Sequence, residues 1–252
     1  MINIAKRALP LLDLTTLGDN DSEEIVKNLC AKAVSPYGNV AAICVWPRFV
    51  SVAKTSVASP LVNIAGVANF PEGTTDIDRA ISDTKEIIAA GGNEVDVVFP
   101  YKSWIDGNRE LGPWIVNECK KICGDNIALK VILETGELKS SDLIRSASIA
   151  AIQAGADFIK TSTGKTPISA TIEAAHVMLG AIKETGASCG FKASGGIRDT
   201  ATAGEYIALG DEIMGADWVS PKTFRFGASG LLDDLISVID GGDSTTTDKS
   251  GY

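Results

Sequence analysis

Short apolar runs recur eight times along this chain, each separated from the next by a longer stretch with helical spacing. That alternation limits the fold more than any single motif does. Strands alternating with helices imply a parallel sheet whose faces the helices cover. The runs are Leu9–Leu14, Ala41–Val45, Leu61–Val67, Glu94–Phe99, Ala128–Leu133, Phe158–Thr161, Gly190–Ala193 and Phe224–Gly227. Most are rich in Val, Ile or Phe, the pattern of parallel strands buried on both faces. Between them, Ile77, Ile81, Thr84 and Ile88 form a one-sided helical stripe. Ser141 and Asp142 open another helix, carrying Ile144, Ala147, Ala151 and Ala154. Gly91, Gly155, Gly186 and Gly215 each follow a helical pattern, as C-terminal stops do. Ala154-Gly155-Ala156-Asp157-Phe158 is echoed by Met214-Gly215-Ala216-Asp217-Trp218, a faint internal repeat.

Eight repeats in 252 residues fit a single closed (β/α)8 TIM barrel, an α/β fold usually of about 250 residues. The expected barrel domain spans residues 1–240. The polar segment 241–252, GGDSTTTDKSGY, reads as a mobile C-terminal tail. An open doubly wound sheet is the alternative, but no strand is followed by the G-x-G-x-x-G fingerprint of dinucleotide binding.

A net charge of −9 disfavours nucleic acid, which needs a basic face. It does not bear on a small phosphorylated ligand, for which a locally positive pocket suffices. Five cysteines without regular spacing argue against a disulfide framework. Cys119 and Cys123 lie four apart on an expected helix, but a chain with one histidine offers few zinc ligands, so no metal is expected. No apolar run reaches the roughly 18 residues of a membrane span, and the start lacks a signal peptide. The expectation is a cytoplasmic protein with no membrane partner. The oligomeric state is not legible, with a homodimer one option left open.

Barrel enzymes carry their chemistry at the C-terminal ends of the strands. Polar residues in or just after the eight runs are Asp13, Cys44, Asp96, Lys130, Glu134, Lys160 and Lys192. Ionised groups inside apolar strands are unfavourable unless paired. A purely structural reading pairs Asp96 with Lys130. A chemical reading uses the lysines. A nucleophilic lysine must be neutral, and burial with a neighbouring cation lowers its pKa. A shift of about 3 units corresponds to roughly 4 kcal/mol. Lys160 and Lys192 fall on consecutive strands, so one can stay charged and depress the other. The neutral amine then attacks an aldehyde or ketone to form an imine, while Asp96 shuttles protons.

Three glycine-bearing loops follow the last three strands: Thr161-Ser162-Thr163-Gly164-Lys165, Ser194-Gly195-Gly196-Ile197-Arg198 and Gly227-Ala228-Ser229-Gly230. Glycine lets backbone N–H groups approach an anion, and this end of such barrels commonly binds phosphate. Gly164-Lys165-Thr166 is not the end of a P-loop, because its first glycine would have to be residue 159, which is Ile159. His176, mid-helix with Ile172 and Leu179, reads as a packing residue, which leaves a Ser-His-Asp hydrolase without its base.

Taken together, these motifs resemble the deoxyribose-phosphate aldolases, class I aldolases, in their longer bacterial form. The resemblance is carried by Leu12-Asp13-Leu14-Thr15-Thr16-Leu17, Ala41-Ala42-Ile43-Cys44-Val45-Trp46-Pro47-Arg48-Phe49 and Glu94-Val95-Asp96-Val97-Val98-Phe99-Pro100. It continues through Glu134-Thr135-Gly136-Glu137-Leu138, Phe158-Ile159-Lys160-Thr161-Ser162-Thr163-Gly164-Lys165, Gly190-Phe191-Lys192 and Arg225-Phe226-Gly227-Ala228-Ser229. It implies Lys160 as the imine-forming lysine, Lys192 as the cation beside it, and Asp96 acting with a water in proton transfer. Asp13, Cys44 and Thr163 would line the substrate pocket. Gly164, Lys165, Gly195, Gly196, Gly227 and Ser229 would hold the phosphate. The implied substrate is 2-deoxy-D-ribose 5-phosphate, cleaved reversibly to acetaldehyde and D-glyceraldehyde 3-phosphate. No cofactor is implied, because the imine is the electron sink.

Such proteins often end in a tyrosine that assists proton transfer, and this chain ends in Tyr252. An extended tail from Gly242 could reach about 36 Å, against a descent of about 15 Å for a preceding helix of ~10 residues. Two positions depart from the pattern. Ala193-Ser194 stands where many relatives have Pro-Ala, and Gly230 stands where a second serine is common. Two other functions use the same residues: a sugar-phosphate isomerase or epimerase with Asp96 or Glu134 as base, and a non-catalytic sugar-phosphate binder.

Overall fold

In the computed structural model, which describes residues 1–244, the eight runs close into one parallel barrel. Its strands are β1 (Leu12–Thr15), β2 (Ala42–Val45), β3 (Asn63–Ala68), β4 (Glu94–Val98), β5 (Ala128–Ile132), β6 (Phe158–Lys160), β7 (Gly190–Ser194) and β8 (Phe224–Ala228). Each pairs with its sequence neighbour, and β8 returns to β1 through Leu12↔Phe226 and Leu14↔Ala228. Closure rules out the open-sheet alternative and leaves the barrel without edges, which removes the usual liability of unpaired strand groups.

The outer helices begin where short polar side chains can accept the first free amides. Ser22, Asp76, Ser140, Thr171 and Asp199 accept from the amides of Ile25, Arg79, Leu143, Ala174 and Thr202. The glycine stops are present as expected, with φ of 92° at Gly91, 104° at Gly155, 64° at Gly186 and 102° at Gly215. No helix among the described residues is long and apolar enough to cross a membrane.

Several expectations shift. The first strand starts at Leu12 rather than Leu9, because Leu9–Leu11 winds into a 3-10 turn around Pro10. Proline lacks the amide a strand ladder needs. A two-residue antiparallel hairpin, Val34–Ser35 with Gly38–Asn39, has no apolar signature and was not expected. The helix Ile77–Ala89 buries Ala80, Thr84 and Ile87, with Ile77, Ile81 and Ile88 only partly buried. The cause lies in β3. Gly66 leaves a hollow that Ile87 fills, so closely that a Cβ on Gly66 would lie 2.5 Å from Ile87 Cγ1. His176 is exposed, which corrects its reading as a packing residue. The helix Ile172–Thr185 seats on Ala174, Ala175, Met178, Leu179 and Ile182, leaving residue 176 at the edge.

The internal echo holds only as far as its glycines. Ala156-Asp157 leads directly into β6, whereas residues 216–223 make turns before β8 begins at Phe224. The last helix, Leu231–Ile239, is followed by Gly242, whose amide donates to Ser237 O at 2.9 Å. The rest of the expected tail, 245–252 with Tyr252, lies outside the described residues.

Gly190 of β7 faces the Phe158 ring, and a Cβ there would lie 2.3, 2.5 and 2.8 Å from three ring carbons. The ring is flanked by the Arg225 guanidinium, 5.4 Å from its centroid, and cannot retreat freely. Gly190→Ala is therefore expected to lose about 1–3 kcal/mol of stability through overpacking. Calorimetry checks this; an unchanged melting midpoint would show that the ring yields without strain.

Candidate active site

Residues two apart on a strand face the same side. Glu94 with Asp96, Phe158 with Lys160, Lys192 with Ser194, and Arg225 with Gly227 therefore share faces, and their contacts place those faces inside the barrel. Parallel register sets Lys160 beside Lys192, Lys192 beside Arg225, and Asp96 beside Lys130.

These side chains form one connected ion cluster. Asp96 Oδ2 accepts from Lys160 Nζ and from Lys192 Nζ, each at 2.8 Å. Its other oxygen takes Lys130 Nζ, also at 2.8 Å. Lys192 Nζ reaches Asp13 Oδ2 at 2.6 Å, and Arg225 Nη1 reaches Asp13 Oδ1 at 2.6 Å. Glu94 closes the floor, 2.6 Å from Lys130 Nζ and 2.9 Å from Arg225 Nη2. All seven residues are buried. The Asp96–Lys130 pair expected on structural grounds exists, and the same carboxylate also holds the two lysines expected on chemical grounds.

The cluster sets four basic side chains against three carboxylates, so losing one proton brings it to electrical balance. The geometry and electrostatics indicate which amine gives it up. Lys160 is pushed below the ordinary lysine value, first by burial and then by Lys192, with Asp96 opposing. Burial also acts to lower Lys192, but Asp13 and Asp96 outweigh it and hold that amine above the ordinary value. Lys130 is held up in the same way by Asp96, Glu94 and Asp13. Burial acts to raise Asp13 and Asp96, yet their lysine neighbours, together with Arg225 at Asp13, keep both well below the usual carboxylate range. Cys44, buried on β2, has its thiol raised by burial and by Asp96.

The three glycine loops converge at the strand ends. Gly164, Gly195 and Gly196 have φ of 79°, 83° and 80°, left-handed conformations suited to glycine. A Cβ on Gly195 would lie 2.5 Å from Ser169 Oγ and 3.4 Å from Gly164 Cα. The Gly195 amide donates to Gly227 O at 3.3 Å. A Cβ on Gly227 would meet Ser194 Oγ at 2.5 Å and Lys192 Cε at 3.0 Å. A side chain at Gly227 would press on Lys192, and one at Gly195 would press on Ser169. Ser229 is exposed just before the last helix, and Lys165 leans outward to Asp19 at 3.8 Å, an exposed pair of little energetic value. Thr163 is buried against Glu134, which accepts from its amide and its hydroxyl. A cavity of about 250 Å³ opens between the Thr135 turn and the start of the Ile172–Thr185 helix. None of the ionised cluster lines it, so the ion pairs rather than cavity size locate the site.

The structure thus brings Asp13, Asp96, Lys160 and Lys192 into direct contact, with Gly227 against Lys192, Gly195 against Gly164 and Thr163 held by Glu134. Two cluster members were not singled out as polar strand residues in the sequence reading, Glu94 and Arg225. The signal was available: Glu94 stands two before Asp96, and Arg225 two before Gly227.

Comparison with known proteins gives one family model, described as DeoC/LacD family aldolase, which matches residues 7–215. Among solved structures, a provisionally assigned deoxyribose-phosphate aldolase from Toxoplasma gondii ME49 superposes with a TM-score of 0.87 at 24% identity, over 96% of each chain. A provisionally assigned deoxyribose-phosphate aldolase from Coccidioides immitis gives 0.82 at 28% identity, over 93% of this chain and 86% of that one. The tetrameric deoxyribose phosphate aldolase from Aeropyrum pernix gives 0.74 at 26% identity, over 94% and 91%.

Removing one partner of a buried ion pair strands the other. Asp13→Asn leaves Lys192 and Arg225 short of a carboxylate and should reduce stability by about 3–5 kcal/mol at neutral pH. The contribution of Asp13 is fully present above the unfolded carboxylate value near 3.9 and is lost as pH falls through the lower folded value. Urea denaturation of both proteins should show the gap constant above about pH 4 and narrowing below it. A gap that widened in acid would contradict the depressed carboxyl.

Proposed function

The chain belongs to the DeoC/LacD family of aldolases, and from that premise we propose that it cleaves 2-deoxy-D-ribose 5-phosphate to acetaldehyde and D-glyceraldehyde 3-phosphate through an imine on Lys160. The observation that carries the assignment of Lys160 is the pair of amines on one oxygen, with Lys160 and Lys192 each 2.8 Å from Asp96 Oδ2 in a buried site. Burial first, and then the charged neighbour, lower the Lys160 pKa and favour the neutral amine that attacks a carbonyl.

In this reading the Lys160 nitrogen adds to the C1 carbonyl of the sugar, and loss of water gives an iminium. Asp96, acting with a water, takes the proton from the C3 hydroxyl. The C2–C3 bond then breaks, its electrons flow into the iminium, and glyceraldehyde 3-phosphate departs from the resulting enamine. Protonation at C2 and hydrolysis release acetaldehyde and restore Lys160. Every electron pair is accommodated by the imine, so no cofactor is required.

Asp13, Cys44 and Thr163 line the sugar pocket. The phosphate sits at the mouth against the backbone of Gly164, Gly195, Gly196 and Gly227, with Lys165 and Ser229 at its rim. The Ser162 hydroxyl, two residues past Lys160, is buried without a partner among the described residues. Such a group is costly in a closed protein and is available to a polar substrate.

Borohydride reduction in the presence of acetaldehyde should leave a mass adduct on Lys160 and none in Lys160→Met, which should also lose aldol cleavage. Unmodified Lys160, or a Lys160→Met variant that still turns over sugar phosphates, would favour an isomerase using Asp96 or Glu134 as base. Lys192→Leu removes the cation that depresses Lys160. Its activity optimum should move to higher pH, and an unchanged pH profile would count against that role.

A further inference from the structure

Glu134 follows β5 and carries a conformation that few side chains adopt, with φ 56° and ψ 62°. A non-glycine residue held there has a cost of order 1 kcal/mol or more and persists where its surroundings demand it. Its carboxyl is fully buried and forms no ion pair within 4 Å among the described residues. Burial pushes it above the usual carboxylate value, against the hydrogen bonds it accepts from Thr163 and Thr166 and the more distant charge of Lys160. An unusual backbone and a buried acid with no salt-bridge partner call for a reason.

Among the described residues, all hydrogen bonds to its carboxylate come from one turn. The Thr163 amide donates to both carboxylate oxygens at 3.3 Å, and the Thr163 hydroxyl donates to Oε2. The Thr166 hydroxyl donates to Oε1 at 3.1 Å. Thr163 Oγ1 in turn accepts from the Lys165 amide at 3.0 Å. Both ends of the turn 163–166 are therefore fixed to one carboxylate, and Gly164 is held at φ 79° between them.

We infer that Glu134 is a positioning residue that shapes the Thr163–Thr166 turn to receive the phosphate end of the substrate, and so sets the preference for phosphorylated over unphosphorylated sugars. This rests on the assignment of that turn to phosphate binding. Glu134 acts through the turn and not on the reacting atoms, so its loss should change substrate binding before it changes the chemical step.

The test compares kcat and KM for 2-deoxyribose 5-phosphate and for unphosphorylated 2-deoxyribose. Glu134→Ala should raise KM for the phosphorylated sugar by roughly tenfold, the scale of one net hydrogen bond to a charged acceptor. The unphosphorylated sugar, which lacks the group the turn holds, should lose markedly less than the phosphorylated sugar does. Glu134→Gln, which keeps an acceptor oxygen, should recover most of the preference. If Glu134→Ala does not fold, Thr166→Val, altered at a half-buried hydroxyl, should shift the ratio in the same direction. Equal losses on both sugars, or an unchanged ratio in the variants, would overturn the positioning role alone. Absence of any preference in the unaltered protein would overturn the phosphate assignment and this inference with it.

Discussion

Asp96 takes ion pairs from Lys130, Lys160 and Lys192 at once, and the site exists because the sheet closes. In a flat sheet, three strand spacings of about 4.8 Å would separate β4 from β7 by roughly 14 Å, too far for Asp96 to bond Lys192. Closure also sets β1 next to β8 and only two strands from β7, which lets Asp13 hold Lys192 and Arg225 together. Fold and chemistry are therefore coupled by a geometric requirement: a barrel of this size lets carboxylates and amines from six strands meet.

The cluster is layered. Glu94, Lys130 and Arg225 form a floor of fully engaged charges, with the Phe158 ring against the guanidinium. Asp13 and Asp96 link that floor to Lys192 and Lys160 above. Buried pairs of this kind add little net stability compared with apolar packing, but losing one member strands its partner. The value of the floor lies in fixing where charge resides. Lys130 is tied by three carboxylates, Arg225 and Lys192 by two each, and Lys160 by one. The amine with the fewest carboxylates is the one whose pKa falls below the ordinary lysine value.

Much of this was legible in the sequence, for identifiable reasons. Barrel strands are covered on both faces, so nearly every residue is apolar and each polar exception stands out. That is how Asp96, Lys130, Lys160 and Lys192 were found. Glu94 and Arg225 escaped because they sit at strand starts, where a charged residue reads as a solvated end, and because their partners lie up to 212 positions away. The helix face carrying Ala80 and Ile87 was misjudged since its packing depends on Gly66, a hollow in another element. His176 shared a stripe with Ile172 and Leu179, but that stripe lies at the edge of the buried face. The short hairpin at Val34–Asn39 has no periodicity to detect. Roles at the loops came from family resemblance, and the positioning role of Glu134 only from contacts across the turn.

The charge count has a consequence for the proposed reaction. With Lys160 neutral, the buried group is balanced, so the resting site carries no excess charge to solvate. Iminium formation adds one positive charge at the Lys160 nitrogen, in a buried site whose low dielectric screens it poorly. The nearest carboxylate, Asp96, is already shared with Lys130 and Lys192 and can compensate only part of that charge. The residual positive charge is what draws electrons from the breaking C2–C3 bond. A carboxylate devoted to Lys160 alone would stabilise the iminium more and raise the amine pKa as well, slowing both attack and cleavage. Sharing one carboxylate among three amines leaves burial and Lys192 to lower the Lys160 pKa, which in the proposed reaction favours the neutral amine before attack and an electron-poor iminium after it.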